Sequence, residues 1–254
     1  MIDIHSHFLY GVDDGAGSIE ESLDMLRLAA GHGTTDMVAT PHANSTFEFD
    51  PALLELRYHE LAGAHNGLPR IHRGCDFHLS AVNIQHALED PSRYTVNGGH
   101  YLMVELPELF HPAAMAEVFR QFTRKSVICV ITHPERNPVL QKSLDILPQW
   151  VRNGCLAQLT AMSLTGDFGA IARTTAWHYL RQGYAHFIAS DAHDTQHRTP
   201  RLDVARGLVD QEIGADLSAL LFIEHPRAVI ENLIIRMDMA PTATPKKWLA
   251  FWRS

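Results

Sequence analysis

The sequence predicts an α/β protein whose parallel strands close into one seven-stranded (β/α) barrel, and three observations predict it. Short apolar runs alternate with stretches of helical periodicity along most of the 254 residues, the pattern of βαβ units and parallel pairing. No composition break marks a linker and no fixed-period repeat is visible, so residues 1–238 read as a single domain and 239–254 as a tail. Imidazoles and carboxylates stand at the ends of the apolar runs, where a parallel barrel gathers its chemistry.

The first strand covers residues 1–4, with no leader expected before it, and runs into His5 and His7. Side chains two apart in an extended segment point the same way, so both imidazoles can reach one ion. Asp13 and Asp14 follow between Gly11 and Gly15, which suits a tight loop returning a carboxylate over the strand end. Two surface histidines before an ordinary turn is the plainer alternative for this stretch taken alone.

Ser18-Ile19-Glu20-Glu21 is a capping-box pattern opening a helix that stops at Gly31 or Gly33. A strand at 37–40 ends in Pro41-His42, and Asp50-Pro51 caps a helix to about 66–67. The third strand, 71–77, carries Asp76 near its end. A short helix at about 81–88 and a turn at Asn97-Gly98-Gly99 lead to strand 101–104, which ends in Glu105. After a helix at 112–125, strand 127–131 runs into His133-Pro134-Glu135-Arg136. A helix at about 144–153, a sixth strand at 156–160 and a helix at about 170–182 follow. The seventh strand, 187–189, ends in Ser190-Asp191-Ala192-His193, and helices at about 202–214 and 226–233 close the domain. The tail carries prolines, then Lys246, Lys247, Trp248 and Trp252. It reads as a segment docking its tryptophans on the barrel or a neighbouring subunit, with a membrane-surface or partner-binding role as the alternative.

Composition narrows the function. A hydrophobic content of 46% allows a sizeable core. The net charge of -8, without a Lys/Arg block, argues against general nucleic-acid binding. Histidine is abundant, 17 against 21 Lys+Arg, which favours metal chemistry without locating it. Cys75, Cys129 and Cys155 show no Cys-x-x-Cys spacing, which excludes a disulfide framework or a cysteine zinc site and fits a reducing compartment. With neither a signal peptide nor an apolar run of membrane-spanning length, a cytoplasmic protein is expected.

Six of the seven predicted strand ends deliver a ligand type: His5 and His7, His42, Asp76, Glu105, His133, and Asp191 with His193. Any one could be a hydrogen-bonded rim residue, but a buried polar group is costly unless paired or ligating, and six in concert indicate several ions. The sixth strand, with Gln158 and Thr160, offers nothing comparable. Imidazoles and carboxylates without thiolates suit Zn²⁺, Mn²⁺ or Fe better than Mg²⁺. Glu105, central in the sheet, is a natural bridging carboxylate, and a hydroxide shared between two ions there is nucleophilic at neutral pH. Arg136 and Arg198 stand beside the ligands and fit a phosphoryl or carboxylate group, with salt bridges to Glu135 or Asp194 as the alternative. A thiol nucleophile fails on spacing: no cysteine has an arginine six residues on, and Cys129 reads as a buried strand residue.

His5-x-His7, the Gly11-Val12-Asp13-Asp14-Gly15 loop, Thr40-Pro41-His42, His133-Pro134-Glu135-Arg136 and Ser190-Asp191-Ala192-His193 together resemble the PHP (polymerase and histidinol phosphatase) superfamily. More narrowly they resemble its bacterial protein tyrosine phosphatase branch, which accompanies capsule and exopolysaccharide export genes. The resemblance runs over about residues 1–235. It implies a distorted, TIM-like seven-stranded barrel with three divalent ions, usually manganese. By motif, His5, His7, Glu105 and Asp191 would hold one ion, and His42, Glu105 and His133 a second. Asp14, Asp76 and His193 would hold the third, with Arg136 and Arg198 receiving the phosphate. The family usually carries glutamate where this chain has Asp76, and proline where it has Tyr10.

The implied activity is hydrolysis of phosphotyrosine on a protein, the partner being the tail of a bacterial tyrosine kinase that regulates capsule export. The rivals are a superfamily phosphoesterase acting on histidinol phosphate or a nucleotide, a metal-dependent amide hydrolase, and a non-catalytic regulator of the same fold. The amide hydrolases have a modified lysine where this chain has Glu105. A regulator should have lost ligands, and no expected position is apolar.

Overall fold

The computed structural model describes residues 1–67 and 69–235; the tail reading falls outside them. At its centre are nine strands: β1 (Ile2–Ser6), β2 (Asp36–Ala39), β3 (His42–Ala43), β4 (Arg70–Arg73), β5 (Asp76–His78), β6 (Tyr101–Glu105), β7 (Ile128–Thr132), β8 (Leu156–Thr160) and β9 (Phe187–Ala189). They form two sheets, ordered β1-β2-β4 and β3-β5-β6-β7-β8-β9, with every ladder parallel. The α/β class and the parallel pairing are as the sequence predicts. The seven continuous strands are not: the predicted strand 71–77 is broken into β4 and β5, the short β3 follows the predicted strand 37–40 after a break, and the ladders do not run as one closed sheet.

Both splits have local causes. Pro41, between β2 and β3, has no N–H to donate to a ladder. Gly74 lies between β4 and β5, at a position where a Cβ would lie 2.8 Å from Val38 Cγ1. The halves remain partnered, β2 with β4 and β3 with β5, so the break carries both upper halves into the second sheet with His42 level with Asp76. An isolated bridge between Ser6 and Ala192 brings the first strand beside the segment after the last. There His7 N–H donates to Ala192 O at 2.8 Å and Asp191 N–H to His5 O at 2.9 Å.

The helices are α1 (Ile19–Gly31), α2 (Pro51–Ala64), α3 (Ala81–Glu89), α4 (Pro112–Arg124), α5 (Pro138–Lys142), α6 (Ile146–Arg152), α7 (Ala161–Thr165), α8 (Gly169–Arg181), α9 (Asp203–Glu212), α10 (Ala215–Ala219) and α11 (His225–Ile230). The predicted caps are present: Ser18 Oγ accepts from Glu21 N–H, and the Asp50 carboxylate from Ala52 and Leu53 N–H. Glu21 reaches back to Gly17 N–H rather than to Ser18, one residue beyond the reciprocal bond of a capping box. Among the described residues no helix is long and apolar enough to cross a membrane.

The strands divide their side chains by alternation. Ile4, Val38, Met103, Val130, Leu156 and Phe187 come from six strands into one apolar cluster. The intervening Leu102, Val104, Cys129 and Ile131 belong to a larger cluster with Phe119 and Phe122 of α4. Each fully buried aliphatic side chain contributes about 1.5–3 kcal/mol relative to exposure. Apolar packing on both faces thus anchors the strands, and the segments that leave them carry the candidate ligands to one rim.

Candidate metal centre

The site begins at the end of β1. His5 and His7 are both buried, and their Nε2 atoms lie 3.3 Å apart. The Asp13-Asp14 loop curls back over them. A Cβ on Gly15 would stand 1.9 Å from His7 O, so only glycine permits this approach. Ala16 N–H donates to His7 O at 3.1 Å and pins the return. Tyr10 anchors the loop to α2 by donating its hydroxyl to the Glu60 carboxylate, with Arg57 over its ring at 4.7 Å.

All nine expected ligand residues meet at this rim, grouped differently from the three sets above. His7, Asp14, His42 and His193 form one group whose donor atoms lie within 4.8 Å of one another; His5, His7 and Asp76 form a second, and His42, Asp76 and Glu105 a third. Asp76, His7 and His42 are each shared between two groups, whereas Glu105 belongs to one. Asp191 Oδ1 lies 3.5 Å from Nε2 of both His5 and His7, and His133 Nε2 lies 3.9 Å from Glu105 Oε1. His133 and Asp191 are non-glycine residues with φ of 34° and 54°. A conformation costing about 1–3 kcal/mol is maintained at two strand ends that aim functional side chains.

The donor set fits divalent cations. His42 Nδ1, Asp76 Oδ2 and His193 Nε2 are buried with no hydrogen-bond partner. His42 Nδ1 and Asp76 Oδ2 approach to 3.2 Å without making a hydrogen bond to each other, as side chains aimed at a common ion do. Burial keeps His193 and His133 neutral, with pKa values pushed down to about 3 and about 4. An imidazole must be neutral to bind a metal. Burial resists charge on Asp76 and Asp191 as well, but neighbouring imidazoles, and Arg198 in the case of Asp191, outweigh it and hold both carboxyls below their usual range. Burial likewise opposes charge on His7, yet Asp13 and Asp191 raise its pKa to about 10, so a cation would have to displace a proton to bind there.

Three groups in this arrangement were not assigned from the sequence. Asp13 accepts from His7 Nδ1 at 2.7 Å and from His42 N–H at 3.1 Å, so the first aspartate of the loop orients ligands while Asp14 faces them. Gln158 Oε1 lies 2.9 Å from His5 Nδ1, so β8 contributes an orienting amide where nothing comparable was expected. Partners of this kind fix the tautomer and direction of a ligating histidine. His78, which no sequence motif marks, lies at the end of β5 with Nδ1 3.5 Å from Glu105 Oε2. Only the register of β5 against β6, His78 beside Glu105, reveals it.

The two arginines converge. Arg136 Nη1 and Arg198 Nη2 lie 2.5 and 2.6 Å from the same atom, Asp191 Oδ2. The alternative pairing of Arg136 with Glu135 is absent. Glu135 turns inward to accept from Ser163 Oγ at 2.7 Å and Thr160 N–H at 2.9 Å, and burial raises its pKa to about 7. Asp194 accepts from the Arg198 backbone N–H, not its guanidinium. All three cysteines are buried, which raises their thiol pKa values, Cys155 to about 12. None is a nucleophile here.

The model of the family described as capsular polysaccharide synthesis, CpsB/CapC, matches residues 1–231. This chain belongs to the CpsB/CapC family. Among its relatives, the Staphylococcus aureus protein CapC is 34% identical over 203 residues, covering 78% of this chain and 79% of CapC. The tyrosine-protein phosphatase YwqE of Bacillus subtilis is 29% identical over 256 residues, covering 99% of this chain and 100% of YwqE. A crystal structure from work on YwqE and Streptococcus pneumoniae CpsB, described as metal-dependent tyrosine phosphatases, superimposes with a TM-score of 0.86 at 28% identity. It covers 93% of this chain and 96% of that one. A Listeria monocytogenes lactonase, at 10% identity and a TM-score of 0.53, covers 90% of this chain and 94% of its own and shares the fold alone. The CpsB/CapC assignment spans every residue of the rim cluster.

Proposed function

We propose that this protein is a metal-dependent phosphatase that hydrolyses phosphotyrosine on a protein, the partner being the tail of a bacterial tyrosine kinase governing capsule or exopolysaccharide export. The observation that carries the reading is the pairing of a nine-residue ligand cluster with two arginines converging on one of its members. Membership of a family that includes phosphatases named for tyrosine supports it. On this reading the split pairs β2/β3 and β4/β5 are bent single strands of a distorted seven-position barrel that occupies residues 1–238 on the cytoplasmic side.

His5, His7, Asp14, His42, Asp76, Glu105, His133, Asp191 and His193 would hold three divalent ions, manganese by preference. Such ions supply Lewis acidity and lower the pKa of bound water toward neutrality. The chain's own residues do the rest. Asp13 and Gln158 fix the directions of His7 and His5. Arg136 and Arg198 present planar, permanently charged forks that bind the phosphoryl oxygens and hold the phosphorus in line. Asp191 keeps both forks at the rim until a phosphate competes for them. Tyrosine titrates near about 10, so its phenolate leaves without a strong acid.

The test is turnover of a phosphotyrosine peptide and of histidinol phosphate by purified protein, with Mn²⁺ and after chelation. Chelator-sensitive release from the peptide, lost in His42→Ala and weakened in Arg136→Ala, is the expected result. Release from histidinol phosphate alone would overturn the substrate assignment.

A further inference from the structure

β8 is the strand without a candidate ligand, but the chain beyond it returns to the site. Between α7 and α8, Gly166 and Gly169 adopt φ of 102° and 88°, left-handed conformations that a side-chain-bearing residue rarely takes. Phe168 sits between them and lays its ring against Arg136, with Cζ 4.2 Å from the ring centroid. This partly buried phenylalanine belongs to none of the three apolar clusters of the described residues, nor to the hydrophobics packed against them. Core packing therefore does not account for its position.

Arg136 needs such a support. It has one side-chain hydrogen bond among the described residues, from Nη1 to Asp191. A guanidinium held at one nitrogen can swing about that contact. A ring 4.2 Å from Cζ restricts that swing and, having no acceptor atom, leaves the other N–H groups free for a ligand.

We propose that Phe168 is a positioning residue that fixes the plane of the Arg136 guanidinium for an incoming phosphoryl group. This rests on the reading above in one respect, that Arg136 receives the phosphate. The interaction is of the cation–π kind. An aromatic replacement preserves it, whereas a leucine of similar bulk does not.

The experiment uses the full-length metal-loaded protein and measures competitive inhibition by inorganic phosphate, together with KM and kcat for an aryl phosphate. The variants are Phe168→Ala, Phe168→Leu, Phe168→Trp, Arg136→Ala and the Phe168→Ala/Arg136→Ala double variant. Phe168→Ala and Phe168→Leu are expected to weaken phosphate inhibition and raise KM by about 3- to 10-fold, with kcat falling less and metal content unchanged. Phe168→Trp should stay within about 2-fold of wild type, and the double variant should be no worse than Arg136→Ala. Full activity in Phe168→Leu would reduce the ring to a space filler and overturn the proposal. So would additive losses in the double variant. If Arg136→Ala leaves phosphate inhibition intact, the phosphate reading of Arg136 fails, a result distinct from wild-type Phe168→Ala behaviour beside a defective Arg136→Ala.

Discussion

Two buried aspartates at opposite ends of the strands show what distinguishes a structural carboxylate from one placed for an ion. Asp36, at the start of β2, is almost fully buried and surrounded by donors. Arg70 approaches both of its oxygens at 2.8 and 3.0 Å, His72 Nε2 lies 3.0 Å away and Thr35 Oγ1 donates at 2.9 Å. Asp76, at the start of β5, is just as buried, yet only Thr132 Oγ1 donates to it, at 3.3 Å, and Oδ2 has no partner. A buried carboxylate without donors costs several kcal/mol. Asp36 recovers that cost from neighbours in the chain; Asp76 does not, as the proposed role of cation ligand requires.

Replacing each aspartate gives the largest expected contrast. Asp76→Ala should reduce metal binding and phosphotyrosine turnover to background, read by metal analysis and a peptide assay. Asp36→Ala should leave turnover near wild type and lower stability by about 1–2 kcal/mol, since Arg70 is largely exposed and the pair is solvent-screened. An Asp36 variant that loses its metal, or an Asp76 variant that keeps it, would erase the distinction. Chelation is the next largest effect. An ion at about 100 times its dissociation constant adds about 2.7 kcal/mol, so removing it should lower Tm by roughly 5–10 °C. The same chelation of Asp76→Ala should shift Tm much less. Asp13→Asn, which leaves every proposed ligand in place, should lower metal affinity or turnover by about 10–100-fold; an effect as severe as that of Asp76→Ala would make Asp13 a ligand instead.

The smallest effect belongs to the end away from the rim. His186, just before β9, accepts from Ala157 N–H at 3.1 Å, and burial first, then His225, pushes its pKa down to about 3. Its folded pKa lies below the ordinary value of 6.5, so the unfolded chain binds the extra proton. The stability it contributes is complete above about pH 6.5 and is lost as pH falls toward 3. His186→Gln should flatten the dependence of Tm on pH across that window, and an unchanged slope would show that the rim histidines carry all of it.

What the sequence reveals follows the same division. Ligands at the ends of apolar strands are legible because alternation and burial leave a carboxylate or imidazole there little else to do, and His5, His42, Asp76 and His193 do converge. Gln158 was missed because a neutral amide in an apolar strand carries no motif. The roles of Asp13 and Asp14 depend on how the loop folds over His7, which spacing does not encode. The break at Gly74 was missed because 71–77 reads as one strand, and only the approach of Val38 shows that the glycine matters.

The bridge between Ser6 and Ala192 also bears on how the cell makes this protein. A ribosome releases His5 and His7 long before Asp191 and His193, although the four finish as neighbours. Through most of translation the emerging imidazoles have the Asp13-Asp14 loop beside them but not Asp191. A prematurely terminated product has half a cage and no Arg198. On the proposed reading such a product would lack Asp191, His193 and Arg198 together, and activity would require that translation has passed the last strand.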